Sequence, residues 1–86
     1  MGGLELAGST VLLTGASGGL GRAIAHALDA RGARVLLSGR REEALEEVVA
    51  QLGERAEVLV ADLAEPGAAL VLAERAGAVD ALVANA

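Results

Sequence analysis

Short apolar runs alternate with longer amphipathic stretches along this 86-residue chain. Thr10 to Leu13 is brief, apolar and β-branched at its start, and Gly15 closes it, which is the pattern of a buried parallel strand. Leu20, Ile24, Ala27 and Leu28 then recur at helical spacing and Gly32 offers a left-handed stop, so the pattern predicts a first helix over Arg22 to Arg31. Arg34 to Ser38 predicts a second strand. From Arg41 to Leu52, the positions Leu45, Val48, Val49 and Leu52 make one stripe opposite a solvated face of Glu42, Glu43, Glu46 and Glu47, and Gly53 is the next terminator. Glu57 to Ala61 predicts a third strand, Pro66 suits the first turn of a third helix ending near Ala76, and Asp80 to Ala84 predicts a fourth strand.

The resulting βαβαβαβ order implies an α/β fold. Right-handed crossovers turn it into a parallel sheet ordered 3-2-1-4, with ligands expected where the strand order reverses. Residues 1–8 read as a loose leader. The length suits about half of a dinucleotide-binding fold built from two βαβαβ halves. The apolar edge Leu82-Val83-Ala84 has no further strand in the chain to cover it, so truncation or homo-oligomeric pairing is expected. The core must be built from Ala, Val and Leu with one Met, one Ile and no aromatic residue, and marginal stability follows.

Charge narrows the partners. Seven Arg against 12 Asp plus Glu give a net charge of -5, which excludes a basic nucleic-acid surface and leaves anion binding to backbone and one or two Arg. There is no Cys and a single His, so neither thiolate chemistry nor a metal site is expected. No apolar run reaches the length of a membrane span, and the start of the chain has neither a secretory signal nor a myristoylation motif, since Leu6 stands where that motif wants Ser or Thr. A soluble cytoplasmic protein is expected.

The chemistry lies in Thr14-Gly15-Ala16-Ser17-Gly18-Gly19-Leu20-Gly21, between the first strand and the first helix. A strand delivers the chain to a tight turn, glycines let backbone approach a ligand, and the following helix turns unpaired N–H groups toward negative charge. That combination predicts a cradle for a nucleotide pyrophosphate. G-x-G-x-x-G does not fit, because Ser17 stands two places after Gly15, and a P-loop does not fit, because the chain has no Lys. What fits is T-G-x-x-x-G-x-G, filled by Thr14, Gly15, Gly19 and Gly21. The plainer reading gives these glycines to helix–strand packing alone, with Thr14 and Ser17 bonding only within the turn.

At these residues the sequence resembles the short-chain dehydrogenase/reductase family. Asp62-Leu63, after the third strand, is similar to the family's pair that holds adenine, and Val83-Ala84-Asn85-Ala86 is similar to its N-N-A-G segment. Ala84 replaces the first Asn, leaving Asn85 to brace the sheet near the cofactor ribose. Because Gly18 and Gly19 are both glycine, the turn also fits T-G-x-x-G-x-x-G of the extended, epimerase-like branch, whereas Asn85-Ala86 favours the shorter reductase branch. The resemblance implies a Rossmann-like three-layer α/β/α fold, with residues 9–86 a partial NAD(P)-binding domain that stops after strand four. Its implied cofactor contacts are Thr14, Gly15, Ser17, Gly19, Leu20, Gly21, Asp62, Leu63 and Asn85.

The end of the second strand selects the cofactor. An NAD site places a carboxylate there for the ribose hydroxyls, whereas a 2′-phosphate wants Arg. The segment reads Ser38-Gly39-Arg40-Arg41, so NADP is favoured over NAD, with Arg40 the first contact and Arg41 the second. Arg22 and His26 read as solvated helix residues, and Asp62 has a plainer alternative as the N-cap of the third helix. Family enzymes use a Ser, a Tyr and a Lys four places beyond that Tyr. This chain has neither Tyr nor Lys, so no catalytic residue is assigned and the 86 residues are expected to be inactive alone. Two other readings stand beside this one: a stand-alone nucleotide-binding or dimerising module, and a methyltransferase-like nucleoside site, which would want an acid at the end of strand two.

Overall fold

Each of the first three predicted strands is followed by a helix that returns the chain to the same end of the sheet, so the strands can pair only in parallel. The computed structural model describes residues 6–85. Its elements are β1 (Thr10–Thr14), α1 (Gly19–Ala30), β2 (Arg34–Gly39), α2 (Glu42–Ala50), β3 (Glu57–Val60), α3 (Ala68–Ala76) and β4 (Ala81–Ala84). The sheet order is β3-β2-β1-β4, as predicted. Thr14 at the end of β1 is in register with Ser38 on β2 and with Ala84 on β4, while Gly39 pairs with Val60 on β3. All four strands therefore deliver their carboxyl ends to one edge.

Alternation along the strands sorts side chains between two faces. Val11, Leu13, Val35 and Leu37 are buried on the face covered by α1 and α2, where they pack with Ala25, Leu45 and Val48. The opposite face is thinner: Leu12 and Leu36 are buried there with Leu72 of α3. Leu82 shares register with Leu12 yet is 61% exposed, and Leu70 and Val71 on α3 are exposed as well. At the amino edge, Asp80 ties β1 to β4 twice: its Oδ2 accepts the Thr10 amide at 2.7 Å, and its own amide donates to the Thr10 carbonyl at 2.8 Å.

Helix boundaries differ from the sequence expectation in instructive ways. α1 begins at Gly19, inside the glycine segment, because Gly18 is an extended N-cap and its carbonyl accepts the Arg22 amide at 2.8 Å. The stripe on α1 is also rotated. Leu20 is 66% exposed and Ala27 is exposed, whereas Gly21 and Ala25 are buried and Ile24 and Leu28 pack on the core. Pro66 lies in a turn ahead of α3 rather than in its first turn. Successive bonds, Glu65 N–H to Asp62 carbonyl and Ala68 N–H to Glu65 carbonyl, carry the chain to Gly67, whose φ of 80° makes it the N-cap. Asp62 is thus not that helix's cap. Gly53 does not end α2 by a left-handed turn. α2 stops at Ala50, and the Gly53 amide donates to both oxygens of Asp29 on α1 at 3.2 Å.

The described part of the leader is tied down: Leu6 packs on the main core and the Gly8 amide donates to the Gly32 carbonyl at 3.0 Å. The leader's first five residues and Ala86 lie outside the described residues.

Candidate functional site

The carboxyl edge of the sheet opens into a cleft of about 710 Å³, within the size of small-molecule sites. Thr14, Gly15, Ser17, Gly18, Gly19 and Leu20 form one wall. Ser38, Gly39, Arg40 and Arg41 form the second, Ala61 to Ala64 the third, and Asn85 closes the side toward β4. Of the site residues the sequence predicts, all but Gly21 line this cleft.

The glycines separate by what a side chain would meet. Gly15 has φ 64°, and a Cβ there would collide with the Asn85 carbonyl; a Cβ at Gly21 would collide with the Gly15 carbonyl and lie 2.9 Å from Ala16 Cα. Packing alone accounts for both, and Gly21 sits beneath the turn. Gly19 is different: a Cβ there meets nothing within 4 Å, and one at Gly18 meets only the Gly15 carbonyl at 3.8 Å. The fold does not require their smallness, so it leaves bare backbone facing the cleft.

That backbone presents donors. The amides of Gly19, Leu20 and Gly21 precede the first intrahelical bond of α1, no side chain caps the helix, and its first turn carries no acid. Unpaired N–H groups and the positive end of the helix dipole therefore face the same space. The turn is held from three sides. The Ala16 amide donates to the Ser38 carbonyl at 3.1 Å, continuing the β1–β2 ladder. Asn85 Nδ2 donates to the Gly15 carbonyl at 3.2 Å, and Thr14 Oγ1 accepts the Asn85 amide at 3.3 Å while donating to the Val83 carbonyl at 3.5 Å. Thr14 and Asn85 thus brace the turn against β4, so Thr14 bonds across strands and not, as its plainer reading expected, within the turn.

Arg40 and Arg41 are exposed at the end of β2, and among the described residues neither pairs with a carboxylate. On the third wall Asp62 Oδ1 accepts the Ala64 amide at 3.0 Å, which fixes the loop and sets Leu63, 50% exposed, beside the opening. His26 is exposed, as expected, and its Nε2 lies 3.0 Å from Gln51 Oε1. Arg22 is not simply solvated: its Nε donates to the Ser17 carbonyl at 3.1 Å. Buried Ser38, whose carbonyl anchors the turn, was not singled out from sequence, although its register with Thr14 follows once β1 and β2 are paired. Among the described residues no cluster of His, Cys, Asp or Glu suits a metal ion, and no helix is long and apolar enough to cross a membrane.

Comparison with known proteins agrees with this geometry. A family model described as short chain dehydrogenase matches residues 9–86. Nodulation protein G of Rhizobium sp. (strain N33) is 46% identical over 86 residues, covering 95% of this chain and 35% of the relative. The 3-oxoacyl-(acyl-carrier-protein) reductase of Rickettsia conorii is 39% identical over 83 residues, covering 96% of this chain and 34% of the relative. Among solved structures, a short chain dehydrogenase/reductase family protein superposes with a TM-score of 0.88 at 38% identity, covering 96% of this chain and 35% of that one. A 3-ketoacyl-(acyl-carrier-protein) reductase from Brucella melitensis, complexed with NADH, gives 0.82 at 31% identity, covering 90% of this chain and 33% of that one. The chain therefore spans about a third of the length of these relatives. With a Rossmann-type sheet in the order 3-2-1-4 and a family match over nearly all its residues, the chain belongs to the short-chain dehydrogenase family.

Proposed function

We propose that this chain is the NADP-binding portion of an oxidoreductase that moves hydride between NADP(H) and a carbonyl or alcohol substrate. The observation that carries the reading is the cleft itself: uncapped helix amides, side-chain-free Gly18 and Gly19, and unpaired Arg40 all face one space. The amides at the start of α1 hold the pyrophosphate, with Ser17 and Leu20 flanking it. Asp62 and exposed Leu63 receive the adenine, and Thr14 and Asn85 hold the wall toward the nicotinamide ribose. Arg40, with Arg41 behind it, takes the 2′-phosphate. A guanidinium–phosphate hydrogen bond contributes about 1.5–3 kcal/mol, enough for a preference of about tenfold or more over NAD. The bound nicotinamide supplies the hydride chemistry.

The chain contains no Tyr or Lys to move a substrate proton, so its role here is to bind and orient, and the 86 residues alone do not turn over. Titrating the chain with NADP and NAD by calorimetry tests the reading: tighter binding of NADP supports it, equal affinity removes the assignment of Arg40, and no binding of either removes the cofactor site. Leu82, 61% exposed on an edge strand, favours a second reading in which two copies pair through β4. Light scattering with and without NADP separates the two: a monodisperse cofactor-binding dimer supports pairing, and a monomer removes it.

A further inference from the structure

Arg22 lies outside the cleft yet is bonded to one of the peptide groups that build it. Its Nε donates to the Ser17 carbonyl at 3.1 Å, and its Nη2 lies 3.6 Å from Glu47 Oε2 on α2. The amide of the same peptide, Gly18 N–H, donates to the Gly15 carbonyl at 3.4 Å. Both polar atoms of the Ser17–Gly18 peptide are therefore committed to partners within the fold. The commitment matters because this peptide is prone to turn over. Gly18 has no side chain to resist a change of φ, and a half-rotation would bring the Ser17 carbonyl oxygen to where the Gly18 N–H now points, against the Gly15 carbonyl, so the turn would have to open.

We propose that Arg22 is a positioning residue for the phosphate cradle: by holding the Ser17 carbonyl, it keeps the Ser17–Gly18 peptide, and with it the turn whose following amides face the cleft, in one shape. This rests on the reading that the cleft takes NADP(H). Of the two interactions Arg22 makes, the carbonyl bond carries the effect. The pair with Glu47 is long and its side chains are 38% and 69% exposed, so water screens it.

Two substitutions isolate the hydrogen bond. Gln places its Nε2 at the same point along the side chain as Arg Nε, keeping the donor and removing the charge; Met keeps the stem and removes both. In the nucleotide-free full chain, amide hydrogen exchange by NMR is expected to show Gly18 exchanging faster in Arg22→Met than in wild type and near wild type in Arg22→Gln. Calorimetry is expected to show NADP bound about tenfold more weakly by Arg22→Met and nearly as in wild type by Arg22→Gln. Adenosine 2′-monophosphate, which lacks the diphosphate bridge, is expected to bind all three alike. A general loss of folding would weaken both ligands together. Arg22→Ala repeats the test should Met disturb the helix. Wild-type affinity and wild-type Gly18 exchange in Arg22→Met overturn the proposal, as does an Arg22→Gln variant as weak as Arg22→Met, which would assign the effect to charge. A wild-type chain that binds neither probe overturns the cofactor reading instead, and the exchange arm still judges the hold on the peptide.

Discussion

Two helices begin at the same edge of the sheet, one residue type at a time different. α1 opens with Gly19, Leu20 and Gly21; α2 opens with Glu42, Glu43 and Ala44. Neither has a side-chain cap. α2 answers the positive end of its own dipole with two carboxylates and needs nothing further, whereas α1 supplies no acid and leaves its charge to be met from outside. The third positions differ for another reason. Position 44 carries a side chain, whereas a side chain at position 21 would enter the backbone of Gly15 and Ala16. The lesson is that the proposed anion site is made as much by what is withheld from one helix start as by what is placed there.

Making α1 resemble α2 is the strongest way to break that contrast. Gly19→Asp has open space for its side chain, so the free protein is expected to gain about 0.3–1 kcal/mol in denaturant unfolding from the helix dipole. The same carboxylate would occupy the place proposed for the pyrophosphate, and calorimetry is expected to show NADP affinity falling by about a hundredfold or more. A variant that is both less stable and still binds would sink the comparison. Gly21→Ala imports the α2 residue at the third position and is expected to cost about 1–3 kcal/mol in urea unfolding through overpacking, while Ala44→Gly costs about 1 kcal/mol or less. Arg40→Ala sharpens the contrast from the other side. It removes a cation just ahead of α2, and titration is expected to show about a tenfold loss for NADP with little change for NAD. The smallest effect belongs to Glu42→Gln alone: about 0.3–1 kcal/mol of stability at low salt, read from thermal unfolding, and unchanged NADP affinity.

Much of this arrangement was legible in the chain. Strand positions and sheet order followed from apolar period and from the handedness of crossovers, because burial on both faces leaves β1 and β2 little choice of side chain. The glycine turn was legible as a tight bend between β1 and α1, and it lines the cleft, yet the sequence could not divide its glycines. Gly15 and Gly21 are required by backbone some distance away, and only paired strands reveal that Gly19 is not. Leu20 misled the helical stripe because its exposure is set by the cleft rather than by the core. Pro66 misled the start of α3 because a proline suits the second position of a turn as well as a first helical position, and the bonds of Asp62 and Glu65 decided between them. Arg22 looked solvated since its partner is a main-chain oxygen, which no spacing of side chains announces.

Asn85 covers Gly15 across 70 residues of chain, with its amide on the Gly15 oxygen and its own carbonyl in the way of any Cβ there. The turn after β1 therefore takes its final shape only once β4 has joined the sheet beside it. Closing so long a parallel loop is slow work for a polypeptide. A ligand that recognises only the closed turn would therefore draw the chain toward the state in which β4 is paired.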